Sequence, residues 1–471
     1  MVDEFDSISQ GFLSWLSRSG ASISSKIEIA DLRRQNAGRG VVSTADIDQD
    51  EVIFSIPRSI VLSVQNSSFR QQHEEFLSSL AEDPWLSLIL VMLYEYGRGS
   101  ESNWKPYFDI LPSSFDTLIH WSENELEELQ ASAVIKKIGK TSADQTFEEK
   151  IWPIVSSKPG VFGFPGSISK EEVVKLAHRM GSLIMAYAFD IESSQAKEPD
   201  EEGYATEDED EDLPKGMVPL ADTLNADADR NNARLFYEPD VLVMKAIRPI
   251  PKGSEIFNDY GSLPRSDLLR RYGYITDNYA QYDVVEVPLE LVVSTVKDIF
   301  KLSDDIARQQ LDLLGEADAL DDGYDIPHGN DFNEQFSLEL KMLGLVLIPH
   351  SSPKFAKQAS RGELPKSWFV LMQEVLKRRL EQYSTTVDQD AEYLRDLKAR
   401  FDGGMHDQSP AELRRRMAAV QVRMGEKAIL LSALAKLEEE GDRVAAEMTE
   451  TNGGRKRGAE EQNGPGYKKR R

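Results

Sequence analysis

The feature that most constrains the fold is a pair of similarly patterned stretches far apart in the chain. Gly40 to Pro57 (GVVSTADIDQDEVIFSIP) reads as a strand, a polar turn at Asp48 to Asp50, and a second strand. Val241 to Tyr260 (VLVMKAIRPIPKGSEIFNDY) repeats the pattern, with its turn at Pro251 to Gly253. Both are expected to be hairpin modules of one antiparallel β domain, with residues 58–240 between them. That intervening stretch reads mostly as helix: LSLILVMLYEYG, then SENELEELQASAVIKKI, then SKEEVVKLAHRMGSLIMAYAFDI. Ser122 with Glu125 and Ser169 with Glu172 fit capping boxes at helix starts. Beyond about residue 288 nearly everything reads as helix. The expected fold class is α+β: a discontinuous β-rich domain with a helical insertion, followed by an all-α C-terminal domain.

Composition bounds what such a chain can do. Its 471 residues allow two to four domains, and 40% hydrophobic residues are enough to bury real cores. The absence of cysteine excludes disulfide scaffolds, thiolate zinc sites, iron–sulfur clusters and a cysteine nucleophile. A formal charge of −26 argues against direct binding of nucleic acid or anionic membrane and favours a basic partner. The start, MVDEFDSISQ, has neither the basic nor the apolar region of a signal peptide. The apolar run from Trp85 to Tyr94 is too short to span a bilayer, so an intracellular protein is expected. Two breaks stand out. EPDEEGYATEDEDED, within residues 197–215, has the composition of an acidic disordered loop, and from Thr451 a basic disordered tail is expected.

The sequence contains no GxxxxGK[ST], HExxH, GxSxG or dinucleotide-type GxGxxG, and its six histidines lack ligand spacing, so no metal site is expected. What remains is a set of Gly, Asn and Tyr features. Gly38-Arg39-Gly40 precedes a strand, where a Gly-X-Gly turn lets a ligand approach the backbone. LADTLNADAD carries Asn225 in a turn-rich segment, EIFNDYG ends a strand on Tyr260, and RRYGY ends a short helix on Tyr272.

In this order the features resemble the SET-domain protein methyltransferases, specifically the branch typified by the Rubisco large-subunit lysine methyltransferase. GRG at 38–40 matches the first SET motif, and SNWKPYFDILPSSFDTLIHW at 102–121 matches the insertion's signature. LADTLNADAD, EIFNDYG and RRYGY match the Asn-His and the two tyrosine motifs. LKRRLEQYSTTVDQDAEYL at 376–394 and VRMGEKAILL at 422–431 match the C-terminal patterns. The resemblance implies a SET domain split into residues 1–84 and 216–288 around an insertion at 85–215, a helical substrate-binding domain at 289–450, and the tail at 451–471. The missing cysteines fit the branch without zinc-binding modules beside the SET domain.

The resemblance further implies transfer of methyl groups from S-adenosyl-L-methionine to a protein lysine, with Tyr260 as the catalytic residue. Gly38, Arg39, Gly40, Tyr187, Asn225, Ala226 and Tyr272 would hold the cofactor. Trp104, Ala188, Asp190 and Phe257 would line the substrate channel. Two departures stand out: Ala226 replaces the family's histidine, and Tyr187 replaces an arginine of the plant enzymes. IMAYAFDIE before an acidic loop is similar to the nuclear branch that acts on ribosomal proteins. That likeness implies a monomeric enzyme monomethylating a lysine of large-subunit ribosomal protein L42. Arg455-Lys456-Arg457 and Lys468-Lys469-Arg470-Arg471 have bipartite nuclear-import spacing, so importin is an expected partner and the nucleus the expected location. A chromatin or transcription-factor lysine, a histidine acceptor, and a catalytically silent scaffold binding a basic protein remain alternatives on sequence alone.

Overall fold

A computed structural model of the chain describes residues 4–33, 37–80, 83–164, 166–191, 214–349, 353–403 and 409–460, with side chains placed up to residue 446. Two compact units emerge: Met1–Trp121 with Lys136–Tyr279, and Ser122–Ile135 with Ala280–Arg471.

Among the described residues the first unit holds ten short strands: β1 (Ser22–Ile23), β2 (Ile27–Asp31), β3 (Arg39–Ser43), β4 (Val52–Pro57), β5 (Leu62–Ser63), β6 (Ala188–Asp190), β7 (Lys215–Met217), β8 (Ala233–Tyr237), β9 (Val241–Ala246) and β10 (Glu255–Ile256). They form antiparallel sheets ordered β1-β4-β9-β8, β10-β3-β2 and β5-β7-β6. The two expected hairpins are therefore corrected. β3 does not pair with β4, nor β9 with β10; instead β4 pairs with β9 and β3 with β10. Each module turns a corner between sheets, and the two corners meet where Ile47 bridges Ile250. There the Lys252 amide donates to Asp46 Oδ1 at 2.8 Å, and Ser43 Oγ donates to the Pro251 carbonyl at 2.6 Å. Burial fits the exchange: Phe54 and Ile56 are fully buried and alternate with half-buried Ser55 and Pro57, so one face of β4 lies in the core. Ile53, also fully buried, falls at an irregularity in the β4–β9 register.

The helix Pro84–Gly97 is buried continuously from Leu86 to Glu95, and Asp83 caps it by accepting the Leu86 amide at 2.9 Å. It packs against the helix Lys170–Tyr187, which opens on the expected Ser169–Glu172 capping box. No helix among the described residues is long and apolar enough to cross a membrane. Of the acidic stretch 197–215, residues 197–213 lie outside the described residues, while Lys215 begins β7.

In the second unit Ser122 and Glu125 do form a capping box, but the helix stops at Leu126 and continues as short 3-10 turns. The unit's longer segment begins at Ala280 and is not wholly helical, since β11 (Val284–Pro288) pairs with β12 (Gly323–Pro327). Segment 122–135 belongs here because of buried polar contacts. Arg379 donates to the Ala131 carbonyl at 2.9 Å, Ser132 Oγ to Glu426 Oε1 at 2.6 Å, and Arg423 pairs with Glu128 at 3.1 Å. Arg423 also pairs with fully buried Asp390 at 2.9 Å, and Lys427 pairs with the other oxygen of the same carboxylate. Tyr383 donates to Glu426 Oε2 at 2.8 Å, and burial pushes the Glu426 carboxyl up to about 7. The helix Pro410–Glu460 runs past Thr451, where a break was expected; residues 461–471 lie outside the described residues.

Candidate active site

A cavity of about 270 Å³ in the first unit is walled by Ala186 to Asp190, Ala221, Asp222, Tyr237, Asn258, Asp259, Tyr260 and Tyr272. Tyr187 closes the helix Lys170–Tyr187, and the chain passes directly into β6, which supplies Ala188 and Asp190. Tyr272 ends the helix Arg265–Tyr272, capped by Gly273 at φ +78°. A Cβ there would lie 2.7 Å from the backbone of both Asp116 and Thr117, so only glycine lets the helix end seat at this point. Tyr260 follows β10, and its ring stacks on Tyr272 with centroids 4.1 Å apart and planes at 8°.

The GRG strand reaches this region through sheet pairing. Asn225 Nδ2 donates to the Arg39 carbonyl at 3.2 Å and to Glu255 Oε1 at 2.7 Å. A Cβ on Gly40 would fall 2.5 Å from Leu32 Cδ1 and 2.8 Å from Glu255 Oε1, so the close approach requires glycine. Ala226 bridges Asn258 in parallel, while the Asn258 amide donates to the Asn225 carbonyl at 2.9 Å. That bridge uses backbone alone, so an alanine in place of histidine leaves the crossing intact. Gly38, Arg39, Gly40, Asn225 and Ala226 are thus gathered behind the segment that delivers Asn258 to Tyr260, without being walls of the cavity.

Two expected channel residues are placed elsewhere. Trp104 is 4% exposed in the hydrophobic core, its indole N–H donating to the Ile60 carbonyl at 2.9 Å. An indole whose one donor is satisfied by a core carbonyl fills volume and does not present itself to a ligand. Phe257 also lies off the cavity, under the Arg230 guanidinium at 4.9 Å. Asp190 is on the wall and accepts from Lys215 Nζ at 2.9 Å.

The residues that sequence reasoning passed over are Asp222, Tyr107, Phe189, Tyr237, Asn258 and Asp259. Asp222 stands inside the quoted LADTLN, and Tyr107 inside the quoted KPYF. Burial pushes Asp222 up to about 7, although Tyr107 Oη donates to its Oδ2 and so favours the ionised form. Tyr107 is itself fully buried, stacked on Phe12 at 6.0 Å and Trp15 at 6.3 Å, both from the helix Glu4–Arg18. Burial raises the phenols of Tyr187 and Tyr272 to about 12, and lifts that of Tyr260 well above its usual value, with Tyr274 and Tyr272 adding to it. At neutral pH these are neutral hydroxyls. A small aromatic chamber holding three carboxyl groups suits a cationic guest. Among the described residues no group of three His, Asp or Glu is placed to hold a metal ion.

Comparison with known proteins places the sequence and the fold. The SET domain family model fits residues 38–261, and the Rubisco LSMT substrate-binding model fits residues 330–430. The ribosomal lysine N-methyltransferase 4 of Saccharomyces cerevisiae is 36% identical over 368 residues, covering 73% of each chain. The bovine N-lysine methyltransferase SETD6 is 29% identical over 454 residues, covering 89% of this chain and 93% of its own. A crystal structure of the SET domain of LSMT bound to lysine and AdoHcy shares the fold, with TM-score 0.65 and 22% identity over 93% of this chain and 92% of that one. The β-rich first unit and the largely helical second unit are therefore those of a known fold. The chain belongs to the SET-domain protein-lysine N-methyltransferases that carry a substrate-binding domain of the Rubisco LSMT type.

Proposed function

We propose that this enzyme monomethylates a lysine of a basic ribosomal protein, large-subunit protein L42, with Tyr260 as the catalytic residue. The observation that carries the reading is the cavity itself: stacked Tyr260 and Tyr272 facing Asp222, in a chain 36% identical to a ribosomal lysine methyltransferase. The net charge of −26 supports a basic substrate.

S-Adenosyl-L-methionine, the family's methyl donor, supplies a methyl group on a positively charged sulfur. The residues present fit it. Gly38 has φ +64° with open space where a Cβ would stand, leaving the backbone of the GRG turn approachable. The nearby carboxyl and phenol oxygens suit a cation. Gly38, Arg39, Gly40, Asn225 and Ala226 would hold the donor mainly through backbone, with Tyr187 and Tyr272 beside it. Because Tyr187 stands where an arginine would face the donor's carboxylate, binding there rests on hydroxyl and backbone donors.

A lysine ammonium has no lone pair and is almost wholly protonated at neutral pH. Asp190 and Asp222 attract it to the cavity. The aromatic walls then exclude water and lower its pKa, favouring the neutral amine. Asp222, poised near 7, is not fixed in the charged state that would trap an ammonium. Tyr260, a neutral phenol, orients the amine nitrogen along the line of transfer, and alignment of this kind is worth several kcal/mol of barrier. The nitrogen that accepts the methyl group would gain positive charge, and the tyrosine oxygens and Asp222 would stabilise it.

The test is tritiated methyl transfer to recombinant L42 and to extract from a strain lacking the enzyme. Wild type should label one small ribosomal band, with a single methyl increment by mass spectrometry. Tyr260→Phe should lower turnover by about 10²-fold or more with little change in donor affinity. Equal labelling by the variant, or no labelled ribosomal band, overturns the reading. Nuclear import through the basic tail and importin belongs to the same proposal. A fluorescent fusion cut after residue 450 that still enters the nucleus removes that part.

A further inference from the structure

We propose that the outward face of the helix Asp304–Glu316 is a docking surface for a basic, aliphatic-bearing segment of the protein substrate, distinct from the lysine that reacts. This rests on the reading of the chain as a methyltransferase of a basic protein, and adds to it the place where that protein is held.

The helix is amphipathic in an unusual way. Its inner face buries Ala307 and Leu314 in the second unit's core. On the opposite face Asp305, Asp312 and Glu316 form an exposed row. Along the flank of that row stand Ile306 and Leu313, each 47% exposed. Seven residues is two turns, so these two side chains share one side and form a short aliphatic stripe beside the acids. Single exposed hydrophobic residues need no explanation, whereas a stripe lying along a charged row does.

The outward row carries charge of one sign. Residues 304–339 hold eleven carboxylates and one arginine, Arg308, and Asp304 at the helix start pairs with Lys297. Arg308 reaches Asp305 only at 3.9 Å, while Asp312 and Glu316 enter no ion pair among the described residues. A merely solvated helix gains solubility from mixed charge and local pairs. A row of one sign beside aliphatic side chains is instead complementary to lysine and arginine spaced with leucine, isoleucine or valine. The surface also lies outside residues 330–430, which match the substrate-binding family model. Docking of this kind raises the local concentration of the target lysine, so it acts on KM and leaves kcat alone.

Two surface variants of the full chain separate the contributions: Asp312→Lys with Glu316→Lys, and Ile306→Ser with Leu313→Ser. The probes are fluorescein-labelled recombinant L42 and a short L42 peptide containing the methylated lysine. Each variant should raise KM and the anisotropy-measured Kd for L42 by about tenfold, with kcat and peptide methylation unchanged. The charge variant should also show a shallower salt dependence of binding. Variants that bind and methylate L42 as the wild type does overturn the surface. Wild type that binds L42 through this face without methylating it keeps the surface and removes the proposed substrate. If wild type binds neither L42 nor proteins extracted from large ribosomal subunits, the surface itself is overturned.

Discussion

Tyr107 ties the N-terminal helix to the cavity through one hydroxyl. Its ring stacks on Phe12 and Trp15, and its Oη donates to Asp222. Because that donation favours the carboxylate, Tyr107→Phe should move the Asp222 pKa upward from about 7. A higher pKa keeps the carboxyl neutral to higher pH, so the acid limb of the kcat/KM profile should shift to the alkaline side. An unchanged profile would show that Asp222 ionisation plays no part in turnover. At Gly40, alanine would place its Cβ 2.5 Å from Leu32 Cδ1, and overpacking of this size costs about 1–3 kcal/mol. A lowered thermal midpoint for Gly40→Ala checks this. The gathering of Tyr187, Tyr260 and Tyr272 was legible because each stands in a stretch that matches the family pattern. Asp222 was not, because its importance comes from burial and from a partner distant in sequence. Trp104 was expected on the channel and stands in the core, where a tryptophan in a motif is as well explained by the volume it fills.

At the scale of elements, the alternating pattern identified the strands but not their partners. Period-2 patterning says which side chains share a face, and nothing about the strand alongside. That is why two apparent hairpins were in fact two exchanged pairs, β4 with β9 and β3 with β10. The capping boxes were legible for the opposite reason, being local chemistry read within four residues. The buried polar cluster of the second unit gives two predictions. Arg423→Met leaves Asp390 and Glu128 with less compensation and should cost about 3–5 kcal/mol by denaturant titration, as breaking a buried pair does. Glu426, raised from 4.5 to about 7, binds more protons folded than unfolded between those values. Its contribution is therefore fully present below pH 4.5 and lost as pH rises through 7. Glu426→Gln should flatten this part of the stability curve; a curve with the wild-type slope would assign the slope to other groups.

The molecule as a whole is two units threaded through one another in sequence, since Ser122–Ile135 interrupts the first unit and belongs to the second. Discontinuity of the β domain was legible from the repeated strand pattern. The transfer of 122–135 was not, because a helical pattern reports an apolar face and not which core receives it. A fragment of residues 280–460 lacks Ala131, which accepts from Arg379, and Ser132, which donates to Glu426, and should show no cooperative thermal transition. Joining 122–135 to it through a flexible linker should restore one; a cooperative transition in the bare fragment would refute this. The threading also sets a schedule for the living cell. A chain leaves the ribosome from its N-terminus and folds as each unit becomes complete. The first unit has all its residues once Tyr279 is made, whereas Ala131 and Ser132 wait for Arg379 and Glu426. Through most of translation, the earliest-made piece of the second unit is a loop on a nearly finished neighbour, waiting for the last helix to be born.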